Sequence, residues 1–172
     1  MKIKETILNL TLVNYRTKDL TWTISLVLAS VVAPAIFAHT PQNQWITGTL
    51  VNAILFLAAH KLAPANALIV AVLPSTVALM RGLLPLPMAF MIPFIIVSNV
   101  VLILVFGLLK KHLLWGVFAS SLAKFLFLYI LTLILAEKLG ATLIYMFQWP
   151  QLFTALVGGL LFISIINLSK KN

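Results

Sequence analysis

Long apolar segments separated by short polar stretches occupy most of the chain. A helix needs about 17–25 apolar residues to cross the hydrocarbon core of a bilayer. Six segments approach or reach that length, at 21–38, 45–61, 65–81, 88–109, 113–136 and 151–168. The pattern predicts an all-α, polytopic membrane protein with about six transmembrane helices.

The same pattern divides the chain into a membrane domain and two short ends. We expect a cytoplasmic or interfacial N-terminal segment at 1–20, a six-helix membrane domain at 21–169 and a cytoplasmic tail at 170–172. The stretch 5–15 alternates apolar and polar residues and is too short to span, so it is predicted to lie at the interface. The short stretch 139–148 is predicted to be a re-entrant or interfacial piece.

Composition supports a membrane location. Of the 172 residues, 62% are hydrophobic and 9% are charged, and the mean hydropathy is +1.12. A soluble domain is roughly 45–50% apolar and about 25% charged. The absence of cysteine excludes disulfides, thiolate metal sites and a cysteine nucleophile.

The positive charges predict how the helices are oriented. Nine of the 12 Lys and Arg residues fall at the N-terminal stretch, the loop after the second segment, the loop after the fourth, and the tail. Because cytoplasmic loops carry an excess of Lys and Arg, both termini are predicted to be cytoplasmic. The membrane is expected to be the plasma membrane. The net charge of +9 is therefore attributed to orientation and not to nucleic acid.

Polar residues inside apolar segments are the first candidates for a binding site, because they are costly in a membrane. Lys124 lies midway along the fifth segment, and no Asp or Glu lies within any segment to pair with it. Its partner is expected to be a backbone oxygen, a hydroxyl, water or a bound anion; the alternative is that it reaches an interface. Asn99 and Asn52 are further ligand candidates, although hydrogen bonds between helices also explain them.

Aromatic and amide residues gather at the predicted outer ends of the segments. Such residues often anchor a protein at the interface, but an aromatic ring between amides also suits a planar ligand with polar edges. The candidates for substrate binding are Trp45, Gln148, Trp149, Gln151 and, at the outer mouth, Arg81. Pro34, Pro74 and Pro93 are predicted to interrupt spans, either by kinking them or by unwinding backbone beside a cavity.

Small residues spaced four apart, including Ala29 and Ala33 in the first segment and Ala155 and Gly159 in the last, allow helices to approach closely. Motifs for catalysis and for metal or phosphate binding are not evident in the sequence. It offers no paired carboxylates, metal-ligand cluster, serine triad or phosphate-binding loop. We therefore expect neither an enzyme nor a metal or other cofactor.

These features resemble the substrate-binding S component of energy-coupling factor (ECF) vitamin transporters. The resemblance rests on size, topology and short motifs: Ala29 to Ala33 in the first segment, Leu73-Pro74-Ser75, Ile92-Pro93-Phe94, and Trp149-Pro150-Gln151-Leu152 opening the last. It implies capture of a vitamin or related micronutrient from outside. It also implies docking, through Ala29 and Ala33, to a transmembrane coupling subunit that works with two ATPase subunits, and an anionic group of the ligand would suit Lys124.

Other classes remain open from the sequence. An accessory or structural subunit of a larger membrane complex, without a ligand of its own, would also be small and rich in small-residue stripes. A secondary transporter or channel would show internal repeats or a membrane carboxylate, and neither is evident.

Overall fold

The computed structural model describes residues 17–37, 43–80, 89–137 and 139–170, which form α-helices joined by short turns. The predicted apolar segments coincide with these helices to within four residues at each end. The interfacial stretch predicted at 5–15 lies outside the described residues. In chain order the helices are α1 (Thr17–Phe37), α2 (Asn43–Lys61), α3 (Pro64–Met80), α4 (Ile92–Leu109), α5 (Leu113–Ile134), the short α6 (Ala141–Met146) and α7 (Trp149–Ser169).

Four stretches of the described chain are helical, long and apolar enough to cross a membrane. They are Asp19–Phe37, Ile92–Leu109, Leu113–Ile134 and Leu143–Ser169, the last of which includes the turn between α6 and α7, and Pro64–Val77 is a shorter apolar helix. The fold is therefore that of an all-helical, multi-pass membrane protein. The count of six spans and the side on which the termini lie stay predictions.

α2 occupies the centre of the bundle. It packs against α1, α3 and α4 and most extensively against α7, while α4 and α5 form the other large helix pair. Its residues Leu55, Phe56 and Ala58 are completely buried. A helix in this position has little contact with lipid, so it can carry polar residues such as Asn52 where an outer helix carries apolar ones.

The outer surface of the bundle is apolar. Leu28, Ile36, Leu108, Trp115 and Ile134 all expose more than half of their surface. Side chains of this kind, spread over several helices, are typical of a surface that faces hydrocarbon.

The two ends of the bundle are filled differently. At one end Phe56, Phe106 and Phe162 pack together, with ring centroids 5.2–5.9 Å apart, and each is fully buried. We call this the closed half. The other end, where α2, α4 and α7 begin, contains a cavity, and we call it the open half.

The prolines differ from one another in their positions. Pro34 and Pro74 lie inside α1 and α3, and both helices continue through them. The prediction that Pro93 interrupts a span is wrong: Pro93 lies in the first turn of α4, after Met91 at the N-cap. A proline is tolerated there because the first backbone N–H groups of a helix have no partner within it.

Candidate functional site

The cavity of the open half has a volume of about 170 Å³. It extends from the end of the bundle to the middle of α2, α4 and α5, where polar side chains form its floor. Its apolar walls include Val51, Ile95 and Phe147. The full set of lining residues is Pro34, Gln44, Thr47, Gly48, Val51, Asn52, Pro74, Ser75, Ile95, Asn99, Lys124, Phe147 and Gln151.

Lys124 is the centre of the floor. Its Nζ donates to Asn52 Oδ1 and to Asn99 Oδ1, both at 2.8 Å. All three residues are at most 3% exposed. We call Asn52, Asn99 and Lys124 the lysine–amide cluster, and it joins α2, α4 and α5.

The cluster leaves the ammonium group without a negative partner. An ammonium has three N–H donors, and two of them are used within the described part of the chain. The amide oxygens carry only partial charge, and an unpaired charge away from water is unfavourable. One N–H donor of Lys124 is thus left without an acceptor among the described residues.

Each asparagine is in turn held by its own amide nitrogen. Asn52 Nδ2 donates to Thr154 Oγ1 at 3.3 Å, and Thr154 Oγ1 donates to the Gln151 carbonyl oxygen at 3.3 Å. Asn99 Nδ2 donates to the Ala71 carbonyl oxygen at 3.3 Å, close to Pro74. The positions of the two amides are therefore fixed by α7 and α3 as well as by Lys124.

Glycines allow α7 to come close enough for the bond between Asn52 and Thr154. A Cβ added at Gly158 would lie 2.6 Å from the Thr49 carbonyl oxygen and 2.9 Å from Asn52 Cβ. One added at Gly48 would lie 3.2 Å from Thr154. Ala155 and Gly159 are also buried within the chain, so the small residues of the last helix serve packing inside the bundle.

Two glutamines stand above the floor at the mouth of the cavity. Gln44 Nε2 and Gln151 Nε2 both donate to the Met146 carbonyl oxygen, at 2.9 and 3.3 Å. Met146 is the last residue of α6, and the final carbonyl groups of a helix have no partner within it. We call Gln44 and Gln151 the glutamine pair. It connects α2, α6 and α7 around the mouth.

The structure brings four of the predicted substrate-binding residues to this cavity: Lys124, Asn99, Asn52 and Gln151. Three others lie outside its walls. Trp149 is half exposed and packs on Phe125 at 5.2 Å, Gln148 Nε2 donates to Thr132 Oγ1 at 3.4 Å, and Trp45 faces Phe153 beside a separate apolar groove. Arg81 lies outside the described residues.

The two predicted docking residues lie away from the cavity, on α1. Ala29 is exposed and Ala33 is half-buried. The neighbouring Leu28 and Val32 expose 58% and 46% of their surface, so this face of α1 is open to lipid or to a partner.

The sequence did not indicate several residues of the site. The expected partners of Lys124 were a backbone oxygen, a hydroxyl, water or an anion, whereas the structure provides two asparagine amides. Gln44 and Phe147 belong to the predicted outer ends rich in amides and aromatics, where no signal distinguished them from their neighbours, and Thr154 resembled an ordinary packing residue. Within the described ranges, no three His, Cys, Asp or Glu side chains come together in a way that could hold a metal ion.

The sequence matches no protein-family model, and neither the curated proteins nor the solved structures provide a match.

Proposed function

We propose that this chain is the substrate-capture (S) component of an energy-coupling factor transporter. In this role it binds a vitamin or related micronutrient from outside and delivers it by docking to a coupling subunit with partner ATPases. The observation that carries the proposal is the buried Lys124 ammonium at the floor of a cavity, without a carboxylate partner among the described residues.

The position of the cavity supports capture from outside. Gln44, Phe147 and Gln151 line it, and they lie at the helix ends that the Lys and Arg pattern predicts to be external. With six spans and both termini in the cytoplasm, the mouth of the cavity would open at the outer surface.

The volume of the cavity supports a compact ligand. At about 170 Å³, it is smaller than the roughly 300–1,000 Å³ of pockets that enclose drug-sized molecules. Its combination of apolar walls and a few convergent polar groups is typical of a small-molecule site.

The exposed face of α1 supports the docking part of the proposal. Ala29 and Ala33 lie four residues apart on α1, and the large residues Ile24, Leu28 and Ile36 of the same helix point outward. Small residues on an outward face allow another helix to approach closely.

The experiment is purification in mild detergent followed by mass spectrometry of small molecules that accompany the protein. We expect a compound at about one molecule per chain, and we expect its binding to weaken in Lys124→Met and Asn99→Leu. Lys110→Met, at an exposed position near the closed half, is the matched control. Affinity that is the same in both cavity variants contradicts the proposed site.

A second candidate function is an accessory subunit without a ligand of its own. The observation that favours it is that the lysine–amide cluster joins three helices, so its polar residues could serve assembly of the bundle alone. This alternative predicts a protein that binds no small molecule and a Lys124→Met variant that changes only stability.

A further inference from the structure

The directions of the hydrogen bonds around the cavity also specify which end of a ligand lies where. We infer that the ligand is a compact molecule with two unlike ends: a single carboxylate-type anionic group that binds at Lys124, and a hydrogen-bond donor group that binds between Gln44 and Gln151. The inference rests on the proposed capture function and adds the chemical class of the substrate.

The chemistry of lysine fixes the orientation of the floor amides. As an ammonium, Lys124 Nζ can only donate, so the Asn52 and Asn99 atoms that face it at 2.8 Å are oxygens. Each NH₂ group then lies on the other side of its amide and uses one hydrogen on Thr154 or on the Ala71 carbonyl. The hydrogen-bonding groups of the cluster that are left unused by these bonds therefore include the third ammonium hydrogen and the second hydrogens of the two amides, all of them donors.

The chemistry of a carbonyl group fixes the orientation of the glutamine pair in the same way. The Met146 carbonyl oxygen can only accept, so the atoms of Gln44 and Gln151 that bond to it must be the amide nitrogens. Their Oε1 atoms have no hydrogen-bond partner in the described part of the chain. The mouth of the cavity thus presents two acceptors, opposite in kind to the donors at the floor.

The charge balance of the cavity limits the anionic end to one negative charge. Lys124 is the single charged side chain among the described residues that line it. A ligand with two or more negative charges would leave one of them buried without a partner, and a cation at the floor would be repelled by the ammonium.

The apolar walls specify the middle of the ligand. Val51, Ile95 and Phe147 lie between floor and mouth, together with Pro34 and Pro74. A short apolar body, such as an aromatic ring or a few methylene groups, matches these walls and separates the two polar ends.

The test compares matched compounds that differ only in their ends. One set is 4-aminobenzoate, benzoate, aniline and 4-aminobenzamide; the second is 4-aminobutanoate, butanoate and butylamine. Binding to the full chain in detergent is measured by calorimetry and by the shift in thermal unfolding. We expect the two-ended carboxylates to bind best within their sets.

The variants separate the two ends of the cavity. Lys124→Met should remove the preference for carboxylate over carboxamide, with a loss of about tenfold to a hundredfold in affinity for 4-aminobenzoate. Gln44→Met and Gln151→Met should reduce the preference for 4-aminobenzoate over benzoate by about twofold to tenfold each. Asn167→Leu, which removes an exposed amide from α7, is the control and should leave both preferences unchanged.

Two results overturn the inference, and they have different meanings. In the first, aniline, butylamine or 4-aminobenzamide binds more tightly than the carboxylates, and Asn99→Leu weakens that binding. The capture function then stands, but the proposed polarity of the ligand, with an anionic end at Lys124 and a donor end at the glutamine pair, is wrong. If no compound of either set binds and the purified protein carries no small molecule, both the polarity and the capture function are wrong.

Discussion

The closed and open halves of this bundle are built from the same helices but are filled by opposite means. In the closed half the fully buried rings of Phe56, Phe106 and Phe162 pack against one another between α2, α4 and α7. In the open half the same three helices leave a cavity of about 170 Å³ beside a charged cluster. This difference fits the proposed function, in which the closed half supplies stability and the open half binds the ligand.

Truncation of the aromatic core should have the largest effect. Phe162 contacts both other rings and is fully buried, so Phe162→Ala is expected to lower the free energy of unfolding by about 3–5 kcal/mol. Unfolding in detergent, followed by circular dichroism, measures it. Leu160→Ala, at an exposed position of the same helix, is the control. An equal loss in both variants would mean that the closed half is not the main source of stability.

The second largest effect on stability is expected from added volume between α2 and α7, because these helices pack together in both halves. A Cβ at Gly158 would collide with the Thr49 carbonyl and with the Ala53 backbone nitrogen, so Gly158→Ala should lower the free energy of unfolding by about 1–3 kcal/mol. It should also displace Asn52 and weaken ligand binding. Gly107→Ala is the matched control: nothing lies near its Cβ, so it should stabilise α4 by about 0.5–1 kcal/mol.

Removal of the buried ammonium should separate stability from binding. In Lys124→Met the unfavourable burial of a charge disappears, but two amide oxygens lose their donor. These changes oppose each other, so the free energy of unfolding should stay within about 2 kcal/mol of the original value. Affinity for 4-aminobenzoate should still fall. A Lys124→Met chain that unfolds as readily as Phe162→Ala would show that the cluster is a structural element of the bundle.

The smallest effect on stability is expected at Thr154, which holds the Asn52 amide of the lysine–amide cluster. Thr154→Val keeps the shape of the side chain but removes the acceptor for Asn52 Nδ2, which should reduce stability by about 0.5–1.5 kcal/mol. Thr76→Val removes an exposed hydroxyl that bonds only within its own helix and serves as the control. If the two variants have equal affinity for 4-aminobenzoate, Thr154 has no part in positioning Asn52 for the ligand.

Hydropathy made the helices of both halves predictable, because a helix that crosses a membrane needs a long run of apolar residues within its own sequence. Lys124 could be singled out for the same reason, since it is a charge within an apolar segment. Its partners could not be identified, because Asn52 and Asn99 lie 72 and 25 residues away along the chain. Their meeting depends on which helices are neighbours, and apolar periodicity in a membrane does not determine that.

The residues at the predicted outer ends of the helices show a second limit of the sequence, which does not indicate the direction in which a side chain points. Trp149 and Gln44 both lie at helix starts on the predicted outer side, yet Trp149 packs against Phe125 at the surface while Gln44 lines the cavity. Rotation of either helix about its axis by part of a turn would move such a residue from the cavity to the outer surface, or the reverse. Composition does not fix that rotation; the packing of α7 through Gly158 against α2 does.

The bonds from Lys124 to Asn52, to Thr154 and to the Gln151 carbonyl all run in one donor-to-acceptor direction. To bind a cation instead, the cavity would need an acidic residue at position 124, and the Asn52 amide would have to turn over. Thr154 would then have to donate to Asn52 and release the Gln151 carbonyl, because a hydroxyl has only one hydrogen. A change from the proposed anionic ligand to a cation would thus need one substitution on α5 together with a reversal of the Asn52 amide and the Thr154 hydroxyl, so groups on three helices would have to change their hydrogen bonds at the same time.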